Sequence, residues 1–384
     1  MSAGTSGYDA AHITVLEGRE AIRKRPGMYI GSTGVRGLHQ MAYEVLGRSV
    51  NEVLAAGGGC VDVTLMPDGG IRVVDDGPGI PVEAAGDAGG AGLETLLTRP
   101  HTEPAPAGRH TVAWSAYGMG PCVTNALSSR LTAEVRRGGV RWVQEYACGV
   151  PVAPPAAAGP ATGSGTTIAF RPDADVFGTA ECSFAVLADR FMELALLNRG
   201  LYISLTDERP AGGTRSVRFQ FPDGPADFVA FLDTESGMCV PPDIIAFARE
   251  DVTMAGAVEA ALSWRGSSGG QVRSFVNSVP TLEGGVHVDG FRAGVAAAVN
   301  AHARRRRLLT AADPDLTTDR VNNVLTAVVS VKLDHPEFEG ATRARLGGAT
   351  VHDCVEQAVR EGLGPWLDRH PEQAADIIGG LFRR

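Results

Sequence analysis

LHQMAYEVLGRSVNEVLA (residues 38–55), followed by CVDVTLMPDGGIRVVDDGPGIP (residues 60–81), is the stretch on which the fold turns. In the first segment Leu38, Met41, Ala42, Val45, Leu46, Val50 and Val53 recur at intervals of three and four, so on a helix they share one face toward a core. Glu44, Arg48, Asn51 and Glu52 fall on the opposite side. The second segment alternates apolar and polar residues on both sides of Pro67-Asp68-Gly69-Gly70, which predicts two strands joined as a hairpin. Chemistry attaches to both pieces. A helical carboxylate such as Glu44 can serve as a general base for water. An aspartate before a glycine-rich turn, Asp75, can accept a hydrogen bond from an exocyclic amine while the glycines let a flat ring approach the backbone.

Outward from this core, HITVLEGREAIRKRP (12–26) and the turn GSTG (31–34) precede the helix. Residues 84–121, rich in Gly, Ala and Pro, read as a long mobile loop. A helix is expected at CVTNALSSRL (122–131), then strands near LTAEVRRG, VRWVQEYACG and GTTIAFRP. A composition shift at about residues 217–232 marks a domain boundary. Beyond it the pattern predicts strands at EAALSWRG, QVRSFVNSV and LTAVVSVKL, a helix at GFRAGVAAAVNAHARRRRLL, and a closing helix, ATVHDCVEQAVREGLGPWLDR, before a short tail. Helix and sheet mix in both halves, an α/β class.

The 384 residues, 44% apolar and 21% charged, hold no apolar run of membrane-spanning length, which excludes a disordered chain and a helical membrane protein. With 35 basic and 44 acidic side chains the net charge is −9, so bulk charge does not draw the chain to nucleic acid or acidic lipid. The six cysteines form no CxxC pair and read as reduced thiols of a cytoplasmic protein. The N-terminal residues lack the pattern of a secretory signal.

VLEGREAIRKRPGMYIGSTG with LHQMAYEV, then VVDDGPGIP, YGMGPCVTNALS, GTTIAF, GGVHVDGFR and VVSVKL form a colinear series that resembles the ATPase half of the DNA gyrase B and topoisomerase IV B subunits, within the GHKL group. The resemblance runs from about Tyr8 to the C-terminus, and RKRPGMYIG is its most specific part. It implies a GHKL-type α+β sandwich over residues 1–220, followed by a transducer-like domain of ribosomal-protein-like β-α-β type over residues 221–384. It further implies that Glu44 is the water-activating glutamate, that Asp75 reads adenine with Gly79 and Thr166 beside it, and that the arm around Tyr8 and Ile13 reaches into the partner's site of a homodimer.

Departures from the pattern cluster at the phosphate end. The family's magnesium-ligating asparagine is Arg48 here, and a guanidinium offers no lone pair to a hard cation. Arg48 lies four residues from both Glu44 and Glu52 and can pair with either. The arginine of DDGRGIP, which elsewhere meets the residue matching Glu52, is Pro78. The lid motif GGLHGVG reads WSAYGMG: Gly118 and Gly120 persist, while Trp114 and Ser115 replace two glycines. The Q-T-K loop of the transducer is Ala341-Thr342-Arg343, and arginine is not equivalent to lysine at a point-charge site.

The reading that follows is a GHKL protein with a nucleotide or small-molecule pocket, taking ATP or ADP at the adenine end, with magnesium binding disfavoured and hydrolysis weak or lost. Partners implied are a second copy, a topoisomerase subunit or its inhibitors, and no membrane. Two alternatives stay open: a repurposed acid-base isomerase or cyclase built on Glu44, Arg48, Asp75 and Trp114, and a working ATPase fragment. The run Arg304–Arg307 reads first as a solvated helix end. Together with Arg292, which matches a position in the family's basic hole, it is the candidate DNA contact. The cleavage-domain motifs EGDSAGG and PLRGK do not occur in these residues, which by themselves are not expected to cut or pass DNA.

Overall fold

The computed structural model describes residues 18–83, 92–100, 111–112, 119–235, 243–264, 270–310, 312–340 and 343–382. Helices α1 (Gly18–Lys24), α2 (Gly27–Ile30) and α3 (Val35–Ala55) open the chain, followed by the hairpin β1 (Gly59–Leu65) and β2 (Ile71–Asp75). Next come α4 (Leu93–Thr98), α5 (Pro121–Ala126), β3 (Ser128–Arg137), β4 (Val140–Ala147), β5 (Val150–Pro151), β6 (Ala156–Pro160) and β7 (Gly165–Pro172). Helices α6 (Ala174–Phe177) and α7 (Phe184–Leu197) lead to β8 (Leu201–Asp207) and β9 (Arg215–Phe219). These strands form one nine-stranded mixed sheet, in the order β5-β4-β3-β7-β2-β1-β8-β9 with β6 also on β4.

The hairpin forms for the reason the sequence suggests. Gly69 takes φ +79°, and the Met66 amide donates to the Gly70 carbonyl at 2.8 Å, so β1 and β2 stay in register from Leu65↔Ile71 to Val61↔Asp75. All seven apolar residues expected to face the core from α3 are buried there, against Val61, Val63 and Val73 of the hairpin. The loop expected over residues 84–121 contains a helix instead. Leu93, Leu96 and Leu97 of α4 recur at three and four residue spacing and are buried; the surrounding Gly, Ala and Pro mask that short period. The helix expected at 122–131 stops at Ala126, because Ser128 onward pairs with β7 as strand β3.

The second sheet follows α8 (Pro225–Glu235) and is built from β10 (Ile245–Asp251), β11 (Gly256–Trp264), β12 (Gln271–Val276), β13 (Val279–Pro280) and β14 (Leu325–Leu333), in the order β10-β11-β14-β12-β13. Helices α9 (Val286–Arg305) and α10 (Thr318–Asn322) lie between β13 and β14, so β12 and β14 pair in parallel across a helical crossover. The short pair β15 (Phe338–Glu339) and β16 (Arg345–Leu346) then leads into α11 (Ala349–Arg369) and α12 (Pro371–Phe382). The short tail of the sequence reading is thus helix α12, with Ala374, Ile378 and Leu381 buried. This is the α/β mixture expected. Among the described residues no helix is long and apolar enough to cross a membrane.

Arg209 and Arg215 both grip the buried Asp207 at the end of β8, at 2.8 Å each. Hydrogen bonds from Arg209, and then Arg215, hold that carboxyl well below the usual carboxylate range against the opposing effect of burial. A depressed folded pKa stabilises the fold above the unfolded value near 3.9, and the contribution is lost as pH falls through the folded value. Asp207→Asn is therefore expected to lose about 2 kcal/mol at pH 7. The gap from wild type should close below about pH 4, as read by urea melts across pH.

Candidate nucleotide-end pocket

Helix α3 carries its charged face into the protein, not into solvent: Glu44 is 5% and Arg48 8% exposed. Glu44 has both carboxylate oxygens engaged. Oε1 accepts from the Gln40 side-chain amide one turn earlier at 3.0 Å, and Oε2 accepts from the Gly120 backbone amide at 2.9 Å. The second contact ties α3 to the residue before α5, where Gly120 takes φ +77°. Arg48 resolves the choice open to it in the sequence by pairing with Glu52, Nη2 to Oε1 at 3.2 Å. Glu52 is the more exposed partner. Asn51 completes this side: its amide donates to the Val112 carbonyl and accepts from the Val112 amide.

Asp75, 2% exposed at the end of β2, faces this helix. Its Oδ1 accepts from the amides of Gly77 and Thr166, both at 3.1 Å. Its Oδ2 is buried and accepts no hydrogen bond of good geometry from the described residues, although the Ser49 hydroxyl is close enough to act on the carboxyl. Burial raises the pKa of this carboxyl, while the Ser49 hydroxyl, the Thr166 amide, the Arg48 charge and the Gly77 amide pull it the other way. A buried acceptor without a donor is costly unless something supplies one.

The backbone packs so closely around Asp75 that only glycine fits at two positions beside it. A Cβ on Gly165 would sit 2.1 Å from the Asp75 carbonyl oxygen, and one on Gly79 would sit 2.7 Å from the Arg136 carbonyl oxygen. Both adopt positive φ, +140° and +77°. Antiparallel pairing of β7 with β2 brings Thr166 to the carboxylate, and the Thr166 hydroxyl accepts from the Ile80 amide at 3.3 Å. From β3, Arg136 donates to the Asp75 carbonyl at 3.3 Å, and Arg137 donates to the carbonyls of Pro78 and Gly79 at 3.2 and 2.5 Å. Pro78 itself is exposed.

Glu44, Arg48, Glu52, Asp75, Gly79, Thr166 and Gly120 thus gather around α3 and the end of β2. Trp114, Ser115, Gly118, Ala341, Thr342, Tyr8 and Ile13 lie outside the described residues. Arg343 is exposed at φ +54°, and no hydrogen bond or ion pair joins it to the residues around Asp75 among those described. The sequence reading missed three participants. Gln40 was legible from its i,i+4 spacing to Glu44. Arg136 and Arg137 reach the pocket from β3 through strand placement, which no local pattern carries, while Gly120, named from the sequence, gives its amide to Glu44.

Arginine and a doubly engaged glutamate do not suit a magnesium ion. The cation wants several hard oxygens in a tight octahedron. Here the position that supplies one in the resembling family is a guanidinium, and Glu44 already holds two N–H donors. The ring end differs: a buried acceptor without a donor fits a group that brings an N–H.

The family model for DNA gyrase B matches residues 224–384. The DNA gyrase B subunit of Streptomyces coelicolor is 44% identical over 390 residues, covering 97% of this chain and 57% of the relative. The novobiocin-sensitive gyrase B of Streptomyces niveus is 42% identical over 97% of this chain and 58% of its own length. The chain therefore spans a little over half the length of these curated relatives. Among solved structures, the 43K ATPase domain of Thermus thermophilus gyrase B, in complex with an aminocoumarin, superposes with a TM-score of 0.80 at 29% identity, covering 95% of this chain and 94% of that one. The ATP-binding domain of Francisella tularensis topoisomerase IV follows with a TM-score of 0.76 at 28% identity, covering 96% of each chain. By its sequence relatives and its GHKL-type fold, the chain belongs to the DNA gyrase B family, over the region of that family's ATPase and transducer.

Proposed function

We propose that this gyrase-B-like protein binds the base end of ATP or ADP, or a planar small molecule of like shape, and turns ATP over slowly or not at all. The unpartnered, buried Oδ2 of Asp75 carries the reading. It awaits an N–H donor, beside a backbone packed too tightly at Gly79 and Gly165 to admit a side chain. Against turnover stand the two engagements of Glu44 and the Arg48–Glu52 pair. A carboxylate already accepting two hydrogen bonds is a weaker base for water, and a cation held by its own neighbour cannot bridge phosphates as a metal does. The chain divides, on this reading, near residue 220 into the pocket domain and a transducer-like domain. It works as a homodimer that associates with a topoisomerase subunit or intercepts its inhibitors. Contact with DNA has the least support. Arg304 already holds Asp315, and Arg305 and Arg306 hold the carboxylate and the carbonyl of Asp368.

A second reading, acid-base chemistry on a small molecule, has one observation in its favour. Asp75 is a carboxyl with a raised pKa in the pocket, the usual mark of a proton donor or acceptor. Steady-state phosphate release from ATP separates the readings from a working ATPase. The proposal predicts a rate indistinguishable from the Glu44→Ala variant, and a rate well above that variant would refute it. Arg48→Asn frees Glu52 and restores an oxygen ligand. It is expected to make ADP binding metal-dependent, with about a tenfold gain in affinity at millimolar magnesium, roughly 1.4 kcal/mol, by calorimetry. Absence of any gain would place the main defect at Glu44 and Gly120 instead of Arg48.

A further inference from the structure

Helix α7 opens on Ser183, whose hydroxyl accepts from the Val186 amide at 3.4 Å as an N-cap does. In the reciprocal half of such a cap, a glutamate or glutamine three residues on accepts from the cap residue's own amide. Here that residue is Val186, whose side chain has no acceptor to offer. The Ser183 amide turns to another helix and donates to His39 Nε2 of α3 at 2.9 Å, across 144 residues of sequence.

That bond fixes the state of the ring. A backbone amide only donates, so Nε2 keeps its lone pair and the proton of the neutral imidazole sits on Nδ1. His39 is buried, and burial holds it below the ordinary histidine value. The charged and titratable groups around it are occupied with one another. Glu181 and the Cys182 carbonyl, just ahead of Ser183, both hold Arg209, which also grips Asp207. Tyr43 on α3, its ring centroid 6.3 Å from that of His39, feels Arg190 and Glu193 of α7, and those two pair with each other. Arg36, one turn earlier on α3, is exposed. Among the described residues no carboxylate is placed to hold a second proton on the imidazole.

The rest of α7 does not depend on this contact. Leu187, Phe191 and Leu194 are buried in the first core, whereas Ala185 and Val186 are exposed and Phe184 is half-buried. The first turn therefore leans on its cap and the later turns on apolar packing.

We propose that His39 is an acid-released pin: neutral, it caps the first turn of α7, and on taking a proton at Nε2 it lets that turn go while the helix beyond Leu187 stays in place. Protonation sets an N–H against an N–H, so the bond is lost with no change in the core. Release uncovers the buried Cys182 and loosens Phe184 from Arg215, whose guanidinium lies 4.2 Å over its ring. A base whose folded pKa lies below its unfolded one contributes stability above about pH 6.5, and that contribution is lost as pH falls through the folded value. The inference concerns this joint alone and is independent of what the pocket binds.

Hydrogen exchange on the full chain at pH 7.5 and 4.5, corrected for the intrinsic rate at each pH, tests it. The pin predicts protection of the Ser183, Val186 and Leu187 amides about tenfold lower at the acid pH, with residues 191–197 and β3 unchanged. His39→Gln places an oxygen that accepts and does not titrate where Nε2 stood, so its protection should be equal at both pH values. Unchanged protection in the wild type, or the same acid loss in His39→Gln, would overturn the proposal. Nitrogen NMR of the histidine-labelled wild type supplies a readout that needs no variant. It should show His39 protonated on Nδ1 and bare at Nε2 at pH 7.5, with a titration midpoint matching the loss of protection. A proton on Nε2 at that pH, or a midpoint apart from the loss, would equally overturn it.

Discussion

Asp75→Asn is expected to weaken ADP binding by about 100-fold while leaving the melting temperature unchanged or higher, the loss of one charge-assisted hydrogen bond in a buried site. The substitution keeps an oxygen for the Gly77 and Thr166 amides and puts an amide nitrogen where Oδ2 stands. A donor then faces the donor of the ligand, so binding loses a bond and gains a clash of polarity, whereas the empty protein loses only a carboxylate that burial disfavours. The sign with pH follows from the raised pKa. A carboxyl whose folded pKa lies above its unfolded value contributes most below about pH 3.9, and that contribution falls away as pH rises through the folded value. Asp75→Asn should therefore gain stability over wild type at pH 7 to 8 and show no gain near pH 3.5. Calorimetry for ADP and thermal melts at these pH values check both halves. Retained affinity would mean that the ring is read elsewhere.

Gly165→Ala should be the most damaging single change in the pocket. The new Cβ meets a backbone oxygen at 2.1 Å at a φ of +140°, a region that side chains avoid. Strain of this kind in a central strand, between β3 and β2, is expected to destabilise by about 3 to 5 kcal/mol, enough to leave little folded protein. Gly163→Ala, at φ +72° with open space around its Cβ, is the control and should lose about 1 kcal/mol. Urea denaturation of the pair separates the close approach from the dihedral alone.

The helix α3, the hairpin after it and the strands β11, β12 and β14 were legible because apolar period and turn chemistry agree locally. Helices α4, α7 and α8 and strand β8 were not placed. The first sits in a stretch whose composition imitates a loop, and the buried residues of α7 divide between two apolar clusters, so they are spread over more than one face. Asp75, Gly79 and Thr166 were legible as a set through the resemblance, while the reason they cohere, a β7 backbone amide on a β2 carboxylate, is a product of strand pairing. The charged face of α3 taught the reverse lesson. Spacing offered Arg48 either glutamate, and the choice of Glu52 depends on Gln40 and Gly120 having already engaged Glu44.

Titration of the protein with ADP, with and without magnesium, weighs the account as a whole, because every departure at the phosphate end converges on it. The account predicts one dissociation constant, the same within twofold whether EDTA or 5 mM magnesium chloride is present and close to that for adenosine. Affinity that rises tenfold or more with magnesium would contradict it.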